Sequence, residues 1–310
     1  MDFSSPSRGA YTSLADLIAM RFPARQLSLS KKKRALNTLV GPNKSNFRGR
    51  GIDFEEVRRY QPGDDIRTID WRVTARSGNA HTKLFQEERE RPVLVVIDQR
   101  NSMFFGSSHC FKSVLAAQLG SLLAWSALDN GDRMGGLVFN DTQHREIRPK
   151  RSRKNVLALL SHIHDYNANL PLTVDHDESS FANMMHKLRR VAKPGSAVFI
   201  ISDFHGAQHS AAQEHLFQLA QHTEITALAC SDTLESQLPR SGLYAVTNGM
   251  QRSELQTSNK TLRSEYHQRF AQRHTELTAS LQKLGVPTLQ ISTQEPPFAQ
   301  LQRYYGSAQR

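Results

Sequence analysis

Short apolar runs rich in β-branched residues alternate with longer stretches of helical periodicity over most of this chain. Val93–Ile97, Arg133–Phe139, His144–Arg148, Ala197–Ser202, Ile225–Cys230 and Thr288–Ile291 read as strands. Phe111–Leu128, Asn155–Asp165, Phe181–Arg190, His209–His222 and Lys260–Leu284 read as helices, the last stopped by Gly285, and Pro296-Pro297 precede a short final helix. Apolar strands alternating with helices predict an α/β fold, a mostly parallel sheet of Rossmann type with helices on both faces. His144 follows Phe139 too closely for a helical crossover, so these two strands form an antiparallel hairpin turned by Asn140-Asp141. A smaller hairpin, Tyr244–Val246 with Met250–Leu255, is expected around Asn248-Gly249.

The N-terminal part has a different texture. Tyr11–Leu29 predicts a helix kinked near Pro23, and Lys31–Leu39 a second, basic helix ended by Gly41-Pro42. From Ile52 to Phe85 the pattern predicts an irregular excursion of short strands and turns, with Pro62-Gly63 and Ser77-Gly78-Asn79 marking two of the turns. The chain thus divides into a basic helical and irregular segment, 1–90, packing on the core, and an α/β domain, 91–310. Within the excursion, Ile66, Ile69 and Trp71 are expected to face the core, Trp71 above all.

Composition narrows the function. No stretch approaches the length of a membrane-spanning helix, the N-terminus shows no signal-peptide core, and Cys110 and Cys230 lack metal-ligand spacing, so a cytoplasmic location is expected. The net charge is +11, and the first fifty residues carry ten Lys and Arg against two Asp. The densest cluster is Lys31, Lys32, Lys33 and Arg34. It suits an anionic partner, nucleic acid or a membrane surface touched peripherally, or else is a solvated helix face or an arm docking on the acidic run Glu87-Glu88-Glu90. No reading motif or aromatic stacking platform accompanies it, so nucleic acid is the less favoured partner. There is no phosphate-binding glycine loop, no nucleophile elbow and no His-Glu-x-x-His. No catalytic residue is identified, and a non-enzymatic role is expected.

The string Tyr60-x-Pro62-Gly63-Asp64-Asp65-x-Arg67-x-Ile69-Asp70-Trp71, followed by Val93–Ile97 ending on Asp98, resembles the bacterial family called domain of unknown function 58. The resemblance implies a von Willebrand A-like domain. It also implies a non-enzymatic adaptor between an AAA+ ATPase of the MoxR type and a client protein in assembly or maturation. Such domains often carry a magnesium site built from Asp-x-Ser-x-Ser, a later Thr and a later Asp. Mapped here, Asp98 and Ser102 match the first motif, Ser179 (with Ser180 as the second choice) stands for the threonine, and Asp203 matches the last position. Arg100 stands where a serine is required, and a guanidinium cannot ligate a cation. The site is therefore read as degenerate, with no cofactor or only weakly bound Mg²⁺, and with Arg100 pairing with Asp98 or Asp203 in place of the ion. The plainer alternative is that Asp98 caps its loop with hydrogen bonds. Arg67, Asp70, Arg72 and Arg76 offer a partner-binding surface or, alternatively, a structural clasp. Two rival functions stay open: a nucleic-acid or anionic-membrane binder led by Lys31–Arg34, and a divalent-metal-dependent hydrolase using Asp98 and Asp203.

Overall fold

The computed structural model describes residues 5–29, 53–61, 69–86, 91–169, 180–247 and 252–306. In chain order the elements begin with α1 (Leu14–Ala19) and α2 (Arg21–Ala24). Next come β1 (Asp53–Arg59), α3 (Trp71–Ser77) and β2 (His81–Gln86). The α/β region follows with β3 (Pro92–Asp98), α4 (Lys112–Asp129), β4 (Arg133–Phe139), β5 (His144–Lys150), α5 (Arg153–Ala168) and α6 (Ser180–Val191). It continues through β6 (Ala197–Ser202), α7 (Ser210–Ala220), β7 (Glu224–Ser231), α8 (Thr233–Ser236), β8 (Leu243–Thr247) and β9 (Arg252–Gln256). The series ends with α9 (Lys260–Lys283), β10 (Thr288–Ser292) and α10 (Pro297–Tyr305). Two compact units result, one within 45–91 and the other combining the residues before and after it.

The larger unit is built on a six-stranded sheet of order β10-β7-β6-β3-β4-β5. Every pairing is parallel except β4 with β5, where Phe139 opposes His144 across the predicted hairpin. Counted within the sheet this is the doubly wound order 3-2-1-4-5-6, with an antiparallel third strand, consistent with a von Willebrand A-like fold. Each face carries its own core. Val93, Val95 and Ile97 pack with α1, α2, α4, α5 and α10 on one side. Leu94 and Val96 pack with α6, α7 and the end of α9 on the other. Helix α4 is buried from Lys112 to Ala127, which explains why it is apolar all round rather than amphipathic. Gly120 permits that burial, because a Cβ there would lie 2.8 Å from Ile97 Cγ1.

The N-terminal helices belong to this unit. Ser13 opens α1 with a capping box, its Oγ accepting from Asp16 N while Asp16 accepts from Ser13 N. The single kinked helix expected over Tyr11–Leu29 is instead two short helices meeting at Met20. Pro23 has no N–H to bond the carbonyl four residues back, so one continuous helix is not available. Serines on α4 then fasten this segment: Ser121 Oγ donates to Leu17 O at 2.6 Å and Ser126 Oγ to Leu27 O at 3.1 Å. The backbone of Ser28 donates to Tyr305 O at 2.7 Å, beside a bridge between Leu27 and Gly306. The second basic helix expected at Lys31–Leu39 lies outside the described residues, as do Lys31, Lys32, Lys33, Arg34, Ile66 and Arg67. Among the described residues no helix is long and apolar enough to cross a membrane.

In the smaller unit β1 and β2 pair antiparallel, with Arg59 opposite His81. Asp70 caps α3, its Oδ1 accepting from Arg72 N at 3.0 Å and Val73 N at 3.2 Å, and Gly78 closes the helix at φ 70° in the left-handed region. Trp71 is not buried: it is 69% exposed. The alternation of charged and bulky residues reads as an edge laid on a core. The capping carboxylate instead starts a short helix none of whose residues is buried, and the indole at its first position points to solvent. Trp71→Ala is accordingly expected to change folding stability by no more than about 0.5 kcal/mol, read as an unchanged urea midpoint.

Candidate functional site

The carboxyl ends of β3, β6 and β7 meet at one edge of the sheet, where ligand groups gather in open α/β folds. Asp98, the last residue of β3, is fully buried. Its Oδ1 accepts from Arg100 N at 2.9 Å and Arg100 Nε at 3.1 Å, and its Oδ2 accepts from Arg100 Nη2 at 2.7 Å and Ser202 Oγ at 2.6 Å. Arg100 is 2% exposed, and its other guanidinium nitrogen is also engaged. Nη1 donates to Ser180 Oγ at 3.2 Å and His205 O at 3.1 Å, and Nη2 lies 3.7 Å from Asp203 Oδ1. The guanidinium carbon sits 5.2 Å from the Phe181 ring centre and 5.7 Å from that of Phe139, adding cation–π attraction in a dry setting.

A second cation completes the cluster. Lys112 Nζ donates to Asp203 Oδ2 at 2.9 Å and to Glu235 Oε1 at 2.6 Å, its side chain 2% exposed. Glu235 is itself held, because its other oxygen accepts from Asp232 N in the capping box of α8. Asp203 Oδ1 accepts from His205 N at 3.0 Å. Between those two residues Phe204 adopts φ 56°, a costly conformation for a bulky side chain, and its buried ring packs on Phe181. That turn presents the His205 carbonyl to Arg100.

The electrostatics follow from this packing. Burial by itself would favour neutral forms throughout, but the partners outweigh it. Lys112 and Arg100 hold the Asp203 carboxyl well below the usual carboxylate range against the opposing effect of burial. Burial likewise pushes the Lys112 ammonium down, and Asp203 with Glu235 lift it above its ordinary value. Arg100 is raised in the same way, by Asp98 first and Asp203 next.

The residues singled out from sequence are only partly brought together. Asp98, Arg100 and Asp203 share the cluster. Ser180 reaches it through Arg100, while Ser179 lies outside the described residues. Ser102 sits on the turn Asn101–Met103, its Oγ buried without a hydrogen-bond partner among the described residues. Asp70, Arg72 and Arg76 belong to the smaller unit, Asp70 as a helix cap. Lys112 and Glu235 were not anticipated. The sequence did hold one signal for Lys112: it opens a buried apolar helix, so its charge sits at the positive end of the helix dipole and demands carboxylates nearby.

A magnesium ion of the kind the resemblance implies needs open, hard oxygen ligands. Both Asp98 oxygens already accept from Arg100, and an ion beside them would meet a fixed guanidinium. Among the described residues no three His, Cys, Asp or Glu side chains converge as ligands. The orphaned Ser102 hydroxyl would suit an ion, but the set as a whole does not fit one.

Residues 56–276 match the family described as protein of unknown function DUF58. The uncharacterized protein Rv1480 of Mycobacterium tuberculosis is 27% identical over 289 residues, covering 92% of this chain and 89% of that protein. The uncharacterized protein Mb1516 of Mycobacterium bovis matches to the same extent. Among solved structures, the conserved hypothetical protein BatB from Bacteroides thetaiotaomicron is 13% identical at TM-score 0.33, covering 63% of this chain and 98% of that one. An aerotolerance-related membrane protein from Bacteroides fragilis is 13% identical at TM-score 0.40, covering 69% of this chain and 98% of that one.

Proposed function

We propose, from the premise that this chain belongs to the DUF58 family, that it is a non-enzymatic interaction module working as an adaptor between a MoxR-type AAA+ ATPase and a client protein. The observation that carries the module reading is the pinned carboxyl edge. Arg100 and Lys112 tie the loops after β3, β6 and β7 to one another, so that edge is a preorganised surface. Its charges are spent inside the cluster, which leaves recognition to the rim. Phe105 stands 39% exposed on the loop between Asp98 and Lys112, while its carbonyl accepts from Lys112 N at 2.8 Å. A polar cleft of about 200 Å³ opens beside Ser180, lined also by Asp141, Asn183 and Lys187. An exposed aromatic anchor and a polar cleft are features that suit a protein partner. A second contact of the same residue types is offered by Trp71 and the exposed Arg72 and Arg76 on α3. The ATPase itself is supported by the family resemblance alone.

The test is reconstitution with the MoxR-type ATPase of the same organism. With ATP present, binding is expected, and Phe105→Ala is expected to weaken it about tenfold or more, the range of an aromatic anchor. Absence of binding, with nuclease-sensitive capture from lysate in its place, would move the function to the basic cluster Lys31–Arg34.

A further inference from the structure

We infer that Arg100 and Lys112 together stand in for a divalent cation at this strand edge, and that the Arg100 guanidinium is what keeps one off Asp98. Two covalently attached positive charges are set among the carboxylates of Asp98, Asp203 and Glu235, at 2.6 to 2.9 Å in the close pairs. Asp203 is the shared element, reached by Lys112 at 2.9 Å and by Arg100 at 3.7 Å. The edge therefore carries a divalent ion's worth of charge that no chelator can remove. Beside the Phe139 and Phe181 rings, the polar groups that Arg100 engages are hard oxygens. Asp98 and Ser180 Oγ are engaged by the guanidinium, and Ser102 Oγ is buried with no partner among the described residues. Replacing Arg100 by serine would release Asp98 and Ser180, add a hydroxyl two residues from each of Asp98 and Ser102, and leave an all-oxygen donor set. Such sets select Mg²⁺ and Mn²⁺ over softer metals. The inference is independent of the adaptor reading, because it is read on the isolated chain.

The experiment is MnCl₂ titration calorimetry, with melting curves in EDTA and in millimolar Mn²⁺, on the full chain and its Arg100→Ser variant. The natural chain is expected to give no binding heat and the same melting temperature in both buffers. Arg100→Ser is expected to melt lower in EDTA, to bind Mn²⁺, and to regain roughly 5 °C in its presence. Adding Asp98→Ala to that variant is expected to abolish the response. If Arg100→Ser does not fold in EDTA it is refolded into Mn²⁺; recovery supports the inference, and failure to recover overturns it. Micromolar Mn²⁺ binding by the natural chain that is lost on Asp98→Ala would also overturn it, as would a folded Arg100→Ser variant indifferent to Mn²⁺.

Discussion

Asp98→Ala is expected to destabilise the fold by about 3–5 kcal/mol, a fall in melting temperature of roughly 10 °C for a unit of this size. The substitution removes little volume, so the loss does not come from a cavity. It comes from Arg100, which would keep a full charge at 2% exposure with its closest partner gone, leaving Asp203 at 3.7 Å and the field of Asp141 to answer it. Ser202 Oγ would lose its acceptor at 2.6 Å at the same time. The origin of the loss is separable by a double-mutant cycle. Combining Asp98→Ala with Arg100→Met removes both charges, and apolar replacement of a buried pair is close to neutral. The double variant is therefore expected to be more stable than Asp98→Ala alone. Chemical denaturation of the four proteins measures this, and a double variant no more stable than the single would show that the pair is not what the mutation breaks.

Lys112→Met is expected to cost about 3 kcal/mol, somewhat less than the first substitution because Asp203 retains Arg100 and Glu235 is 27% exposed. Methionine preserves the apolar stem packed in the core, so the change isolates the ammonium. The pH dependence carries a signature. Asp203 has its pKa depressed in the folded chain, so its contribution is present above the ordinary carboxylate value of about 3.9 and is lost as pH falls through the folded value. Lys112 has its pKa raised, so its contribution is present below the ordinary lysine value of about 10.4 and is lost as pH rises through the folded value. The natural chain and Lys112→Met should thus differ most between about pH 4 and pH 10 and converge on either side. Urea midpoints across that range check it. A difference that persisted unchanged at pH 2 would show that Lys112 acts through packing rather than charge.

The central strands could be read directly because their runs are almost wholly apolar and separated by crossovers of helical length. Val93–Ile97 and Ala197–Ser202 leave few alternatives once both faces must be covered. The hairpin of β4 and β5 followed from chain length alone. Side-chain destinations were harder. Trp71 carries the strongest burial preference of its segment, yet a cap at Asp70 turned it outward, a local hydrogen bond overriding a hydrophobic signal. Asp98 and Asp203 were legible because they end strands. Lys112 was not, since its meaning depends on Asp203 and Glu235, which are distant in sequence and come near it only through the sheet order.

The tie between Ser28 and Tyr305 has a consequence for how the chain is made. During vectorial synthesis α1 and α2 leave the ribosome first, but their fastenings lie on α4 and, beyond that, on α10. The early helices are short and expose Leu17, Met20 and Leu27 until those surfaces arrive. The apolar stripe on these helices must therefore wait for α4, and the tie at Ser28 for α10 after every strand of the sheet, an interval in which a holding chaperone has a defined substrate. Arrival of α10 then closes the Ser28–Tyr305 tie, linking the first-made and last-made elements of the larger unit in one step.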